Sequence, residues 1–270
     1  LTNTAALQLN GAISAAGTSF SIDNGSQPVT FALGGSNNIT ATTFSVTAQD
    51  VDALSTIGAF GSTAVVLQPD GAGDTIGLAV ADGTEFTLAT TDIAELKSGT
   101  GAITIGQSGG TGAFTLGAAV DLVGDTVTLR GGRINDGTNA ISAADLTLDL
   151  DSNGAGANTI KTTVTGTLAV DTTDGNDATD RGITITDTGA LDLGTVNAGT
   201  GAVSVTAAGA ITDSGVMTAG SLAVSNTTST TVFDENNVIS ALGAMTTTGG
   251  DFSLTNTAAL QLNGAISAAG

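Results

Sequence analysis

Cysteine, histidine, tryptophan and tyrosine are all missing from these 270 residues, and eight phenylalanines are the only aromatics. Without histidine or cysteine there is no imidazole base, no Ser-His-Asp or Cys-His nucleophile, and no ordinary zinc, haem or iron–sulfur site. Without tryptophan or tyrosine the usual platforms for stacking sugars and bases are gone. Basic residues number 5 against 25 acidic ones, a net charge of -20, which excludes a phosphate-binding surface for nucleic acid. No apolar run approaches the ~18 residues of a membrane span. The tightest cluster, Ala64-Val65-Val66-Leu67, is four residues long. No secretion signal is read at the start of the chain.

What is present is 39 glycines, 40% hydrophobic residues and an abundance of Thr, Ala and Ser. That apolar content is enough for a core and argues against charge-rich disorder. The most informative feature is a duplication. Leu1–Gly17 reads LTNTAALQLNGAISAAG, and the same seventeen letters return at Leu254–Gly270, 253 positions later. Chance does not produce this. Residues 1–253 are therefore one long tandem repeat unit, 254–270 the start of the next, and the chain a window on a repeating polymer.

A shorter period lies inside the long one. Apolar pairs two residues apart recur along the chain, among them Phe20/Ile22, Phe44/Val46, Val65/Leu67, Phe86/Leu88, Phe114/Leu116, Val127/Leu129, Leu146/Leu148, Leu168/Val170, Leu191/Leu193, Val203/Val205 and Leu222/Val224. Period 2 is the mark of a strand with one buried face, and Thr and Ser occupy the alternate positions as strand propensity favours. Many pairs follow one another at 20 to 24 residues. Tight corner signals separate them, including Asn24-Gly25, Asp82-Gly83 and Asp136-Gly137. Strands of three to five residues are too short for a stable sandwich but suit stacked coils. The reading is all-β: a parallel β-helix, or β-solenoid, of about 11 or 12 coils, spanning roughly 55 Å per repeat at the ~4.8 Å strand spacing. Phe20, Phe44 and Phe86 are expected to stack inside it. Helix is expected for at most one turn at Asp92–Lys97, with Asn236–Met245 the only longer candidate.

Phrases such as GAITIGQSGGTGAFTLGAAVDL (Gly101–Leu122), TGALDLGTVNAGTGAVSVTAAGAITDSG (Thr188–Gly215) and GGDFSLTNTAALQLNGAISAAG (Gly249–Gly270) resemble the repeats of filamentous-haemagglutinin-like proteins and autotransporter passengers. The resemblance implies a right-handed parallel β-helix in a giant secreted bacterial adhesin. It also implies Gram-negative-type export in an unfolded state and a place outside the cell or at its surface. A cysteine-free chain cannot be trapped by a premature disulfide during such export. The acidic surface also keeps exposed strands from pairing side by side.

Candidate chemistry is confined to carboxylates. In DLDSNGAGAN, Asp149, Asp151 and Asn153 alternate ahead of Gly154, matching the opening of an EF-hand-type calcium loop. The twelfth position is Ile160 instead of Glu and no flanking helices are expected, so a Gly-Asn corner between strands is the better reading of the segment and a calcium loop the second. In DTTDGNDATD, Asp171, Asp174, Asp177 and Asp180 recur every third residue, as a solvated loop or bridged by Ca2+. DGAGD (Asp70–Asp74) is a fainter calcium signal. Arg130 and Arg133 lie close to Asp136 in LRGGRIND, the pattern of a surface ion pair beside a Gly-Gly corner. The function expected is a structural and adhesive repeat of an extracellular filament, not an enzyme. It requires no cofactor, associates end to end with identical repeats and meets a cell-surface or polysaccharide target. A calcium-stiffened surface layer or an ice- or polysaccharide-binding solenoid is the alternative, with a polysaccharide lyase or hydrolase behind both.

Overall fold

Alternation of apolar and small polar residues is realised as strand almost throughout: the chain is 61% strand and 4% helix, coiled as a parallel β-solenoid of about 11 turns. The structure is a computed structural model and describes residues 1–34, 38–81, 85–97, 101–151, 157–173, 180–226 and 228–268, the side chains of 62 and 63 excepted. Two compact units emerge from the chain's internal contacts. One comprises Leu1–Gly132 with Ser142–Ala144, the other Arg133–Ile141 with Asp145–Gly270.

In the first unit the expected apolar pairs lie on top of one another in register. Phe20 and Ile22 sit on Phe44 and Val46, and these on Val65 and Leu67. The ladder continues to Ile103 and Ile105, then to Val127 and Leu129. Each residue of this ladder stacks on an apolar residue one coil away, so its pairs from Phe44/Val46 to Val127/Leu129 are sealed to 1% exposure or less. Phe44 is the hub of the aromatic cluster, with Phe20 stacked at 6.3 Å and Phe31 and Phe60 at 6.1 and 6.0 Å. Phe86 is buried elsewhere. It lies on Ile76 in a second column, with Leu88 on Leu78. The residues between Leu67 and Ile103 make an enlarged coil, which removes Phe86 from the expected stack.

That coil also holds the helix, Thr90–Lys97, which is longer than the single turn expected. Asp92 explains its start. Its carboxylate reaches back to the Ala89 N–H at 3.0 Å, as a capping box does, and it accepts the Ser55 N–H at 3.2 Å. At the other end Lys97 pairs with Asp121 at 2.6 Å. Among the described residues no helix is long and apolar enough to cross a membrane.

In the second unit the columns are Ile183–Val203–Leu222–Leu242 and Ile185–Val205–Val224–Met245. Asn236–Met245, the helical candidate, is strand: it lies within Thr231–Ile239 and Ala241–Thr247. Val238 and Ile239 belong to a coil whose neighbours already present open edges, and pairing with Thr218 and Ala219 overrides the local pattern.

Many strands exceed the expected three to five residues, for instance Asn38–Ala48 and Val120–Gly131 with 11 and 12. They run through corners without losing the ladder. Glycine makes such corners possible. Gly106 has φ +93, and a Cβ there would lie 1.8 Å from the Arg130 carbonyl oxygen of the next coil.

Candidate functional site

The candidate acidic residues lie both within the strand ladder and at the turns that leave it. Asp149 ends the strand Arg133–Leu150, half-buried, directly opposite Asp171 of the next coil. Asp151 follows it. Asn153, Asp174 and Asp177 lie outside the described residues, so the two calcium readings meet the structure at Asp149, Asp151, Asp171 and Asp180. Like charges in register repel. The structure answers with donors: Asp171 accepts the Thr173 N–H at 2.9 Å, the Thr173 hydroxyl at 2.6 Å and the Asn197 amide at 3.4 Å. Asn197 stands opposite Asp171, so one column reads Asp149–Asp171–Asn197. Among the described residues no three acidic side chains converge closely enough to hold a metal ion.

DGAGD lines a polar cleft of about 300 Å³ with Ser26, Gln49 and Glu85. Its glycine has a steric cause, since the Asp74 carboxylate accepts the Gly71 N–H at 2.8 Å and a Cβ on Gly71 would meet it at 2.7 Å. Burial, with the neighbouring Asp74 charge, raises the Asp70 carboxyl above its ordinary range. The motif thus acts as a self-closed corner, one of its two carboxylates already committed to the turn. A second depression, of about 360 Å³, is lined by Asp180, Arg181, Ile183 and Ala202. Asp180 is bound there to the Thr200 N–H at 2.7 Å. Asp136 takes hydrogen bonds from the Thr138 and Asn139 N–H groups at 2.7 and 2.9 Å, and from the Asn139 amide. Burial opposes its charge, but those bonds outweigh it and hold the carboxyl below its usual range.

Outward columns mix residue types, for example Thr159–Thr184–Ser204–Ala223 and Lys161–Thr186–Thr206–Ser225. A flat threonine lattice does not form along them.

Two polar arrangements were not legible in the sequence. Asp50 is 5% exposed, and its carboxylate accepts the Val51 N–H, the Thr87 N–H and the Thr87 hydroxyl at 2.9, 2.8 and 3.2 Å. Burial pushes that carboxyl up to about 6 against the pull of those bonds, with the Asp52 charge adding to the rise. In the second unit, Asn237 is completely buried. Its amide donates to Asp213 at 2.8 Å and its oxygen accepts the Met217 N–H at 2.7 Å. Asp213 in turn accepts the Asp234 N–H at 2.8 Å. The 37-residue spacing of Asp50 and Thr87 falls outside the common coil period, and Asp213 and Asn237, though 24 residues apart, sit outside the apolar pairs that mark that period.

The largest construction is at the two identical segments. Leu7–Leu9 pairs with Val29–Phe31, and Ile13–Ala15 with Ile39–Ala41. In the later copy, Gln261–Leu262 pairs with Ala241–Leu242, and Ile266–Ala268 with Met245–Thr247. The first copy bonds to the coil that follows it, the second to the coil that precedes it. Leu260, Leu262 and Ile266 are left 38, 66 and 46% exposed. Comparison with protein families, with curated proteins and with solved structures finds no match for this chain.

Proposed function

We propose that the chain is a structural and adhesive repeat of a long extracellular β-solenoid filament, of the filamentous-haemagglutinin-like kind that its phrases resemble. The observation that carries this reading is the duplicated segment, bonded on opposite sides in its two copies. A coil with that property is a joint, through which one repeat can run into the next without breaking the hydrogen-bonded ladder. The interior supports it as well, since stacked aliphatic columns give stiffness and length without needing a cleft. A calcium ion held by Asp149 and Asp151, or by Asp174 and Asp177, would stiffen the solenoid further.

The test is a chain carrying the 253-residue repeat three times in tandem, imaged by negative-stain electron microscopy. One thin continuous filament is expected, lengthening by roughly 55 Å per added repeat. Separate beads, or a compact particle, would overturn the reading. Adhesion is measured by retention of the same filament on polysaccharide- or cell-coated surfaces, with no retention removing the adhesive half of the proposal.

A further inference from the structure

We infer that Asp70–Gly71 is a site of covalent self-modification, at which the Gly71 amide nitrogen closes on the Asp70 side-chain carboxyl with Asp74 as the base. The product is a five-membered succinimide, which water opens to an isoaspartyl link. The inference concerns one corner of the first unit and stands apart from the filament reading.

The sequence supplies the reactants. When glycine follows aspartate, no Cβ on the attacking residue obstructs ring closure. Four such pairs begin at Asp70, Asp82, Asp136 and Asp174, and two of them, Asp70–Gly71 and Asp136–Gly137, lie among the described residues. As dipeptides those two are identical. Their surroundings are not.

At Asp70 three requirements meet. The first is a base. The Gly71 N–H donates to Asp74 Oδ2 at 2.8 Å, inside the ~2.6–3.2 Å over which a carboxylate can take a proton. The second is an electrophile. A carboxylate ion resists attack, because its leaving group would be oxide, whereas a carboxylic acid can lose water. Burial, the Asp74 charge and a hydrogen bond with the Asp74 carboxyl favour the protonated form of Asp70, and outweigh the N–H groups of Asp70 and Gly71 that oppose it. The Gly71 N–H therefore acts on both carboxyls, the one its nitrogen attacks and the one that takes its proton. The third requirement is a held geometry. The Asp70 N–H donates to the Ala48 carbonyl at 3.0 Å and the Asp74 N–H to the Gly71 carbonyl at 3.1 Å. The Ala72 carbonyl accepts the Thr111 and Gly112 N–H groups at 2.6 and 3.1 Å. Contacts with other coils thus fix the chain on both sides of the reacting peptide. The polar cleft at this corner admits the water that completes the reaction, and Glu85 is the other charged residue lining it, beside Ser26 and Gln49.

Asp136 is the contrast within the same chain. Its carboxylate accepts the Thr138 and Asn139 N–H groups and the Asn139 amide, which hold it in the ionised form. Its oxygens are committed to that turn, and its carboxyl carbon is a poor target.

The chemistry balances without a co-reactant other than water. The Gly71 N–H proton passes to the Asp74 carboxylate as the nitrogen bonds to the Asp70 Cγ. The Cγ–hydroxyl bond then breaks, and the hydroxyl leaves as water with the proton that Asp74 returns. Nothing is oxidised or reduced. Water next adds to one of the two carbonyls of the ring. Addition at Cγ restores aspartate. Addition at the Asp70 main-chain carbonyl carbon breaks its bond to the Gly71 nitrogen and leaves Gly71 joined through Cγ, with a free main-chain carboxylate. That link carries one extra methylene, inserted between neighbours that other coils hold in place.

The test follows both aspartates in one full-length chain. The protein is held at pH 6 and 37 °C, sampled over weeks, and digested with an endoprotease that cuts before aspartate but not before isoaspartate. Mass spectrometry reads the uncut fraction at 70 and at 136, and loss of the mass of one water marks the succinimide. In the folded chain isoaspartate at 70 should exceed that at 136 by at least about tenfold, and in urea the two should approach parity, since only the shared dipeptide then acts. Asp74→Asn keeps an oxygen that accepts the Gly71 N–H but cannot take its proton. It should slow the reaction at 70 by at least about tenfold and leave that at 136 unchanged. Equal accumulation at 70 and 136 in the folded chain, a ratio that persists in urea, or an Asp74→Asn rate equal to the parent's overturns the inference. If circular dichroism shows that Asp74→Asn does not fold, the ratio of 70 to 136 in the parent, folded and in urea, decides.

Discussion

Replacing Asp50 by asparagine should stabilise the first unit at neutral pH and leave it unchanged near pH 4. The carboxyl is 5% exposed and titrates at about 6, against an ordinary 3.8, because burial outweighs the hydrogen bonds from Thr87 and Val51. The folded state therefore holds the proton more tightly than the unfolded state does. The stability this confers is complete below about pH 4 and is lost as pH rises through 6. A rise from 3.8 to about 6 is worth at most ~3 kcal/mol, at about 1.4 kcal/mol per pH unit. Asparagine fits the same bonds: its oxygen can accept the two N–H groups and its amide can donate to the Thr87 hydroxyl. Urea unfolding of Asp50→Asn and parent at pH 4, 5, 6 and 7.5 gives the answer as a difference, in which the self-repulsion of the -20 net charge largely cancels. The expected difference grows from near zero to about 1–3 kcal/mol in favour of the variant. A difference independent of pH, or a variant less stable at pH 7.5, would refute the reasoning.

Four further outcomes follow from the same packing. Gly264→Ala should loosen the last coil by about 1–3 kcal/mol, since backbone blocks the new methyl, while Gly11→Ala should be neutral in the single chain. Hydrogen exchange at residues 261–268 and 7–15 reads both. Asn237→Ala strands the Met217 N–H and the Asp213 carboxylate, and should cost about 2–3 kcal/mol in urea unfolding. Phe44→Ala empties the centre of the aromatic cluster and should cost about 3–5 kcal/mol, with the midpoint of the first unit falling most. Melting in chelator against millimolar calcium tests the carboxylates of Asp149–Asn153 and Asp174–Asp177: a rise of several degrees supports an ion bound by them, and an unchanged midpoint withdraws it.

Apolar alternation located the stacked strands where coils of ordinary length lie on one another without a register shift, and not where a bulge moves Leu193 onto Leu168 and Val196 onto Val170. Phe20/Ile22 over Phe44/Val46 over Val65/Leu67 was visible because each pair is strictly local and the separation close to uniform. It failed at Phe86, whose alternation is just as good, because the coil from Leu67 to Ile103 is enlarged and sends that strand to Ile76. At Asn236–Met245 the apolar spacing fitted a helix, and two waiting strand edges decided otherwise. The helix at Thr90–Lys97 grew beyond one turn because Asp92 caps it and also bonds Ser55, a partner 37 residues away. Of the candidate site, Asp149 and Asp171 are each legible as carboxylates beside a turn, but their face-to-face register is set only by how the coils stack.

Sequence alone determined that the chain coils as parallel strands, that histidine and cysteine are absent from it, and that Leu1–Gly17 returns letter for letter at Leu254–Gly270. Those are properties of composition, of period 2 and of identity between two strings, none of which depends on what lies across a coil. Tertiary structure decided everything that does: which column a phenylalanine joins, which carboxyl burial raises above its ordinary range, and why the eleventh residue of the duplicated segment is glycine. Stacking distance is the reason. Coils sit one strand spacing apart, so the neighbour above or below sets the environment of every side chain, and the length of the intervening coil sets who that neighbour is.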